Sequence, residues 1–455
     1  MAAAAARRML EYGVAPETRL DADKKLLVVT YLFPPSPEVG AQRVARLCRY
    51  LPLYGIRPVV LAAARAAAGG DERLVPPGVE VVRTAARPTL LDGYGWLIRR
   101  FFPRRLQAAA LAPPAAPSSG PSRHGLRQQI LLRLLTPDAQ KGWRVPALRA
   151  ARRLRRQIGF DALLSSGPPW TNHEVARQLK REFRLPWIAD FRDPWAHAAS
   201  PAAPAWKQRL DARLEAHCVQ QADLVLCNTD ALHQDFVARY PRVPPQRFVT
   251  LTNGFDGEPG AELAPAAGRP RLCLHLGSLY GKRRIDTFCQ ATERLLERGQ
   301  LQPGQIQIAL VGEADAVFPL IAAQHAPRAL ASGLIEFRTV VGKAAAEDLL
   351  AQAGLLLLFQ GSYRLQVPAK FYEYLATGRP MFAVTEAGAL SQILAATGAG
   401  LWATPDDPEA IASQFLKALA LPAITPAAAA HRWEATYHFR GLAGQLAAHL
   451  RGLTG

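Results

Sequence analysis

The hydrophobic pattern of this chain alternates between short continuous apolar runs and longer segments with apolar residues every three or four positions. The run from Leu26 to Tyr31 predicts a buried strand, and the segment from about Ala41 to Tyr54 carries apolar residues on one helical face. Strand, polar loop and helix follow one another again from Asp161 and from Leu272. Buried strands that alternate with helices indicate an α/β protein with parallel sheets.

The stretch from Gln366 to Val384 shows this unit most clearly. Apolar residues at helical spacing predict a helix that Gly378 ends, with Lys370 and Glu373 one turn apart on the same side. A polar loop that includes Gln366 leads into this helix from a strand. The helix N-terminus after such a loop is where α/β sheets bind phosphorylated ligands. The alternative is an ordinary strand–helix unit in which both charged residues are solvated.

Two other glycine-containing loops indicate places where a ligand could bind close to the main chain. Gly40 precedes the first helix, where it can admit a ligand close to the main chain. Gly277 ends a strand and is followed by three consecutive cations, Lys282, Arg283 and Arg284. Charge-assisted contacts from such a cluster suit a diphosphate, whereas the alternative is a solvated basic turn.

Carboxylates lie at the end of one strand in the first half of the chain. Asp190, Arg192 and Asp193 follow the apolar residues from Pro186, at the strand end where α/β folds place their chemistry. We expect one aspartate to be structural, as a cap or as the partner of Arg192. Asp193 lies beyond the strand and is the better candidate for catalysis, although the alternative is that neither aspartate touches substrate.

The composition is that of a globular protein with more than one domain. The chain has 455 residues, of which 49% are hydrophobic and 20% are charged. No apolar run reaches the roughly 18 residues that span a bilayer, and residues 1–24 read as a flexible extension without a signal peptide. The five cysteines lie within apolar segments and show no zinc spacing, which favours buried thiols in a reducing cytoplasm.

The net charge of +18 is unevenly distributed. Between Leu97 and Phe160, Asp138 is the only acidic residue, while arginine recurs throughout. Segments 94–106 and 126–158 mix bulky apolar residues with arginine, as do segments that bind an anionic membrane surface. The alternatives are amphipathic helices packed on the domain with their arginines outward, or an arginine-rich genomic composition. Nucleic-acid binding is not expected because no motif for it accompanies the charge.

Four motifs, in order, resemble those of one family. Residues 368–380, PAKFYEYLATGRP, resemble the C-terminal-domain signature of GT-B nucleotide-sugar glycosyltransferases, in particular the bacterial family-4-like enzymes. Segments 26–62, 165–195 and 246–256 resemble further parts of these enzymes. The resemblance implies an α/β protein of GT-B fold, with two Rossmann-like domains facing across a cleft. Its expected parts are an N-terminal acceptor domain at 25–255 with a basic insert at about 88–157, a donor-binding domain at 256–427, and a C-terminal helix at 428–455 that returns to the first domain.

The resemblance also implies roles for residues. Glu373 would hold the donor's ribose hydroxyls and Lys370 would contact phosphate, whereas Leu365 stands where the family has the first glutamate of its pair. The loop from Thr385 to Leu390 would lie near the base or the sugar. The expected catalytic residue is Asp193, and the expected donor-binding residues are Gly40, Gly277, Lys282, Arg283, Arg284, Gln366, Lys370 and Glu373.

The function that the resemblance implies is the transfer of a hexose from a nucleotide-sugar to a glycan or lipid-linked acceptor, in bacterial surface polysaccharide synthesis. No metal or other cofactor is expected, and the location would be cytoplasmic, with peripheral attachment to the inner face of the membrane. Two alternatives stay open. One is a non-catalytic relative that serves as a binding or assembly protein, and the other is a nucleotide-sugar epimerase of the same fold.

Overall fold

The computed structural model describes residues 24–36, 38–64, 74–87, 133, 136–198, 203–257, 271–280 and 283–454. Within these residues the chain forms two compact units. The N-terminal unit extends to Thr252 and takes up the chain again from Ala443, and the C-terminal unit is Asn253–Leu442. The sequence predicted that the first domain ends at 255, close to the observed Thr252. It predicted that the chain returns to the first domain from 428, which is earlier than the observed Ala443.

A parallel sheet of seven strands forms the centre of the N-terminal unit, in the order β3-β2-β1-β4-β5-β6-β7. The side chains of Leu26 to Val29 in β1 are fully buried, as a central strand between two neighbours requires. The strands are β1 Lys24–Val29, β2 Ile56–Ala63, β3 Glu80–Thr84, β4 Ala162–Gly167, β5 Trp187–Phe191, β6 Leu224–Cys227 and β7 Phe248–Thr250.

Helices connect these strands, and their apolar faces cover the sheet. Helix α3 buries Val175, Ala176 and Leu179, at the spacing of one helical face. Thr229 caps α6, because its hydroxyl accepts a hydrogen bond from the Leu232 N–H at 3.1 Å. The helices are α1 Val39–Tyr50, α2 Arg144–Gln157, α3 Thr171–Phe183, α4 Trp195–Ala198, α5 Ala205–Gln221 and α6 Asp230–Arg239.

The C-terminal unit is built around a second parallel sheet, of six strands in the order β10-β9-β8-β11-β12-β13. Strands β8 and β11 are adjacent in this sheet, so the loops after them meet at its carboxyl edge. The strands are β8 Arg271–Leu276, β9 Ile306–Val311, β10 Ile335–Arg338, β11 Ala353–Gly361, β12 Met381–Thr385 and β13 Gly400–Ala403. The two sheets confirm the predicted α/β fold with two Rossmann-like domains.

The helices of the C-terminal unit include several that the sequence did not predict. Helix α11 does end where Gly378 was expected to end it, and this glycine has a φ of +68°. The helices that begin in this unit are α7 Asp286–Glu297, α8 Val317–His325, α9 Pro327–Ala331, α10 Lys343–Gln352, α11 Ala369–Ala376, α12 Ala389–Thr397, α13 Pro408–Leu419, α14 Pro426–Tyr437 and α15 Phe439–Thr454. From Ala443 onward, α15 belongs to the N-terminal unit.

The single C-terminal helix expected at 428–455 is in fact two helices, α14 and α15. His438 separates them in an extended conformation, with φ −82° and ψ 139°. The break lets the chain pair with Phe255, whose N–H donates to the Tyr437 carbonyl at 2.9 Å and whose carbonyl accepts from the Phe439 N–H at 3.0 Å. The prediction of one helix was therefore wrong, because hydrogen bonds to Phe255 replace the helical hydrogen bonds at this point.

The basic insert is described only in part, and segment 94–106 lies outside the described residues. Helix α2 buries Ala147, Leu148, Ala151 and Leu154 against its own unit, so the packed alternative holds for this segment. Arg149 and Arg153 point outward, whereas Arg152 pairs with Glu182 at 2.8 Å. No helix among the described residues is long and apolar enough to cross a membrane.

Candidate active site

A lysine lies across a glycine at the carboxyl edge of the C-terminal sheet. The Lys370 ammonium, in the first turn of α11, donates to the carbonyl of Leu276, the last residue of β8. A Cβ placed on the next residue, Gly277, would lie 1.6 Å from Lys370 Nζ. The absent side chain of Gly277 thus makes room for the ammonium group. Burial lowers the pKa of Lys370; Glu373 opposes this shift, and Arg283 adds to it.

Neighbouring groups fix this edge. The Tyr374 hydroxyl, one turn after Lys370, accepts from the Leu276 N–H at 2.9 Å. Gly312 follows β9 with a φ of +141°, and a Cβ there would lie 2.6 Å from the Gly277 carbonyl carbon. Two glycines from adjacent strands therefore pack backbone to backbone beside the lysine, and substitution at either would push the loops apart.

The imidazole of His275 lies beneath this edge, fully within the core. Its Nδ1 donates to the Leu357 carbonyl at 3.0 Å, since a carbonyl oxygen can only accept. Burial lowers its pKa to about 3. The ring is therefore neutral at physiological pH and contributes no charge to the site above it.

The predicted cation cluster is only partly brought together with Lys370. Arg283 donates to the Ser278 carbonyl, and its guanidinium lies 4.2 Å from the centre of the Tyr280 ring. Arg284 instead pairs with two carboxylates, Asp286 at 2.8 Å and Asp406 at 2.5 Å. Lys282 lies outside the described residues.

The remaining predicted donor residues lie on α11 and on the loop before it. Glu373 is exposed on the helix surface, and Gln366 is half-buried in the loop. The Gln360 side-chain amide braces this loop by donating to the Gln366 carbonyl at 3.2 Å. Leu365 is half-buried beside Gln366, so the position carries an apolar side chain in a polar loop.

In the N-terminal unit, Asp190 is the structural aspartate. Its carboxylate is buried and pairs with Arg43 at 2.9 Å and with the Ser166 hydroxyl at 2.6 Å. Burial opposes ionisation of Asp190, but Arg43, Ser166 and Arg192 outweigh it and lower the pKa of Asp190 below its usual value. The expected partner was Arg192; the direct partner is Arg43, which also donates to the carbonyls of Leu251 and Thr252 at 2.9 and 2.5 Å.

Arg192 lies against Gly40 at the carboxyl edge of the N-terminal sheet. It donates to the carbonyls of Gly167 and Pro168. A Cβ on Gly40 would lie 1.6 Å from Arg192 Nη1, so the guanidinium occupies the space that a side chain at Gly40 would take. Burial lowers the pKa of Arg192, and the neighbouring Asp190 and Asp193 oppose that shift.

Asp193 and Gly40, which the sequence proposed separately, line one cavity of about 370 Å³. The cavity lies outside the carboxyl ends of β1 and β4, where the strand order of the sheet reverses and such folds bind ligands. The other lining residues are Leu32, Pro137, Asp138, Gln140, Pro168, Pro169, Trp170 and Arg192.

Two side chains of this cavity were not singled out by the sequence. The Trp170 indole stacks on Trp195, with ring centres 4.9 Å apart and planes 3° from parallel. Asp138 accepts from the Thr171 hydroxyl at 2.6 Å and from the Thr171 N–H at 2.8 Å, which holds it at the start of α3. The sequence offered one clue to Asp138, which is the only acidic residue between Leu97 and Phe160.

In the described part of the chain, no group of three His, Cys, Asp or Glu side chains is arranged to hold a metal ion.

Comparison with known proteins identifies the family. The family model described as Glycosyl transferase 4-like domain matches residues 96–254, and that described as Glycosyl transferases group 1 matches residues 270–420. No curated protein sequence matches the chain.

Solved structures agree with this result at the level of the fold. Sucrose-phosphate synthase from Thermosynechococcus elongatus has a TM-score of 0.61 and 16% identity, over 94% of this chain and 99% of its own. The lipopolysaccharide outer core galactosyltransferase WaaB has a TM-score of 0.61 and 10% identity, over 94% and 100%. Anabaena HepE, solved in complex with UDP-glucose, has a TM-score of 0.55 and 14% identity, also over 94% and 100%. With two glycosyltransferase domains matched in order and two Rossmann-like units, this chain belongs to the family-4-like GT-B glycosyltransferases.

Proposed function

We propose that this glycosyltransferase moves a hexose from a nucleotide-sugar donor to a hydroxyl group of a glycan or lipid-linked acceptor. The observation that carries the proposal is the Lys370 ammonium held over Gly277 at the first turn of α11. A cation, a bare backbone and a helix N-terminus together suit a diphosphate. The UDP-glucose complex of Anabaena HepE, which has the same fold, supports a donor of this class.

The reaction breaks the bond between the anomeric carbon of the sugar and the diphosphate oxygen. A bond forms between that carbon and the acceptor oxygen, whose proton passes to a base. Lys370 and Arg283 neutralise the departing diphosphate, with Lys282 in the same loop in the same role. Arg284 would have to leave Asp286 and Asp406 to take part, and Glu373 holds the ribose hydroxyls.

The acceptor hydroxyl is proposed to bind in the cavity of the N-terminal unit, where Asp193 accepts its proton. The cavity offers carboxylate, amide and indole groups, which suit the hydroxyl groups and apolar faces of a saccharide. Asp193→Asn should lower kcat while leaving donor affinity unchanged. A variant with full activity would remove Asp193 from the mechanism.

Neither a metal ion nor a cofactor is part of this proposal, because lysine and arginine supply the positive charge at the diphosphate. Activity that survives dialysis against EDTA supports this, and activity that is lost with EDTA and restored by Mg²⁺ or Mn²⁺ contradicts it.

Synthesis of bacterial surface polysaccharide at an anionic membrane surface, from the cytoplasmic side, is the setting we propose. Arg149, Arg153 and Arg156 are exposed on α2 at spacings of four and three, so they share one face. Each basic residue near an anionic surface contributes about 1 kcal/mol. We expect the protein to co-sediment with anionic but not zwitterionic vesicles, and salt to reverse this binding. If the protein does not bind anionic vesicles at low salt, the membrane setting is refuted and the acceptor would be a soluble molecule.

A donor panel tests the central proposal. Purified protein is titrated with UDP-, GDP- and TDP-sugars, and transfer or hydrolysis of the labelled sugar is then measured. Glu373→Ala and Lys370→Ala should each weaken donor binding by about 1.5–3 kcal/mol in a folded protein. Glu347→Ala, an exposed carboxylate on α10, is the matched control.

The same panel separates the alternatives. Binding without turnover would indicate a non-catalytic relative, which the leucine at position 365 favours. Interconversion of two nucleotide-sugars would indicate an epimerase. Unchanged nucleotide affinity in a folded Lys370→Ala, Glu373→Ala double variant would refute the donor-site assignment.

A further inference from the structure

The loops that follow β11 and β12 are joined by one arginine. Arg364, in the loop after β11, donates through Nε to the Ala387 carbonyl at 3.0 Å. Its own carbonyl accepts from the Ala389 N–H at 2.8 Å, at the start of α12. Gly388 fits closely, because a Cβ there would lie 2.5 Å from the Arg364 carbonyl oxygen. The two loops therefore form one platform at the carboxyl edge of the sheet.

Glu386 supplies the negative charge of this platform. Among the described residues of the loops after β8, β11 and β12, it is the single acidic side chain. Its carboxylate lies 3.8 Å from Arg364 Nε, and the two side chains are 38% and 65% exposed. Such an exposed pair contributes little to stability, so its carboxylate oxygens can accept other hydrogen bonds at small cost.

The platform lies beside the proposed diphosphate site. Strand β11 separates β8 from β12 in the sheet, so Glu386 and Gly277 end strands that are two strand spacings, about 10 Å, apart. A hexose attached to a diphosphate at Lys370 can span that distance. Its hydroxyl groups are hydrogen-bond donors, and an ionised carboxylate is the strongest acceptor for them.

We propose that the Glu386 carboxylate binds hydroxyl groups of the donor's sugar, and that Arg364 positions it. This inference rests on the proposed donor site. It names a neutral hexose as the transferred group, because a uronic acid would bring a second carboxylate to Glu386. Glu373 and Glu386 then have separate tasks, on the ribose and on the transferred sugar.

The test compares each nucleotide-sugar with its own diphosphate. Dissociation constants are measured by calorimetry for UDP-glucose, UDP-galactose and UDP-glucuronate against UDP, and for GDP-mannose against GDP. Glu386→Gln should weaken one of the neutral sugar nucleotides about tenfold or more, the usual loss for a hydrogen bond to a charged group. Affinity for the free diphosphate should change less than twofold, and Glu347→Gln should change neither.

Glu386→Asp provides a second variant, which keeps the charge beside Arg364 but withdraws the carboxylate. It should show the same selective loss. Equal affinity changes for sugar nucleotide and diphosphate, or no change, would overturn the assignment of Glu386 while leaving the donor site intact. Preference of the unsubstituted protein for UDP-glucuronate would also overturn it. A protein that binds neither these nucleotides nor the TDP-sugars of the donor panel would refute the donor site itself, and this inference with it.

Discussion

Substitution of Gly277 by alanine tests the geometry of the proposed donor site most directly. Gly277 has a φ of +142°, which residues with a side chain rarely adopt. Its new Cβ would lie 1.6 Å from Lys370 Nζ. The lysine is a flexible side chain and can swing away, but it then loses the Leu276 carbonyl as its acceptor. The protein should fold, with this loop strained and the ammonium displaced.

Two terms determine the magnitude. The backbone conformation costs about 1–3 kcal/mol when a side chain is present. The lost hydrogen bond from a charged donor costs about 1.5–3 kcal/mol. Gly277→Ala should therefore destabilise the C-terminal unit by about 2.5–6 kcal/mol. In a Lys370→Ala background only the backbone cost is left, so the same substitution should cost about 1–3 kcal/mol there.

Urea unfolding of the four proteins in this double-mutant cycle measures both values. Nucleotide affinity is measured in parallel and should fall in each single variant, because both displace or remove the ammonium. A cost of Gly277→Ala that is the same with and without Lys370 would refute the steric argument. A nucleotide affinity untouched by Gly277→Ala would show that Lys370 acts from another position.

Three further outcomes are expected. Arg43→Met should destabilise the N-terminal unit by about 3–5 kcal/mol, because it leaves Asp190 charged and buried, and adding Asp190→Asn should recover part of this loss. Folding lowers the pKa of Asp190, so this carboxylate stabilises the protein fully above its unfolded pKa of about 3.9. That stabilisation is lost as the pH falls through the lower pKa of the folded protein. The Asp190→Asn variant lacks this stabilisation, so its acid unfolding should begin at higher pH. Burial raises the pKa of Cys48, Cys273 and Cys289 to about 12, so iodoacetamide should label these thiols at pH 8 only after unfolding.

Local patterns predicted much of the fold. The strand predicted from Leu26 is β1, the helix predicted from about Ala41 is α1, and Gly378 ends α11 as expected, because the apolar spacing and the stop signal lie within each segment. Helices α8 and α12 and strand β13 were missed, since these short segments show no clear periodicity. The break at His438 depends on Phe255, which is distant in sequence, so no local pattern could predict it.

The candidate sites depend on contacts between distant residues, and here the sequence predicted residue types better than partners. Lys370 was expected to face phosphate, yet its acceptor in the structure is 94 residues away at Leu276. Asp190 was expected to be structural, and its partner Arg43 is 147 residues away. Such contacts decide which carboxylate is paired with a cation and which can contact a ligand. A single motif does not contain them, because the partners are distant in sequence.

Both units use the same physical device at the ends of their strands. Arg192 in one and Lys370 in the other fill the space left by a glycine and donate to main-chain carbonyls. Carbonyl dipoles stabilise these cations less than a carboxylate would, and burial lowers the pKa of each. An anion that binds Lys370 therefore meets a cation already stripped of much of its water and held in place, so little reorganisation is needed. Arg192 has Asp190 and Asp193 nearby to balance its charge. Among the described residues, the carboxylate that offsets the charge of Lys370 is the exposed Glu373, and Arg283 opposes it. The excess positive charge thus supports the proposal that a diphosphate binds at the C-terminal edge and not in the N-terminal cavity.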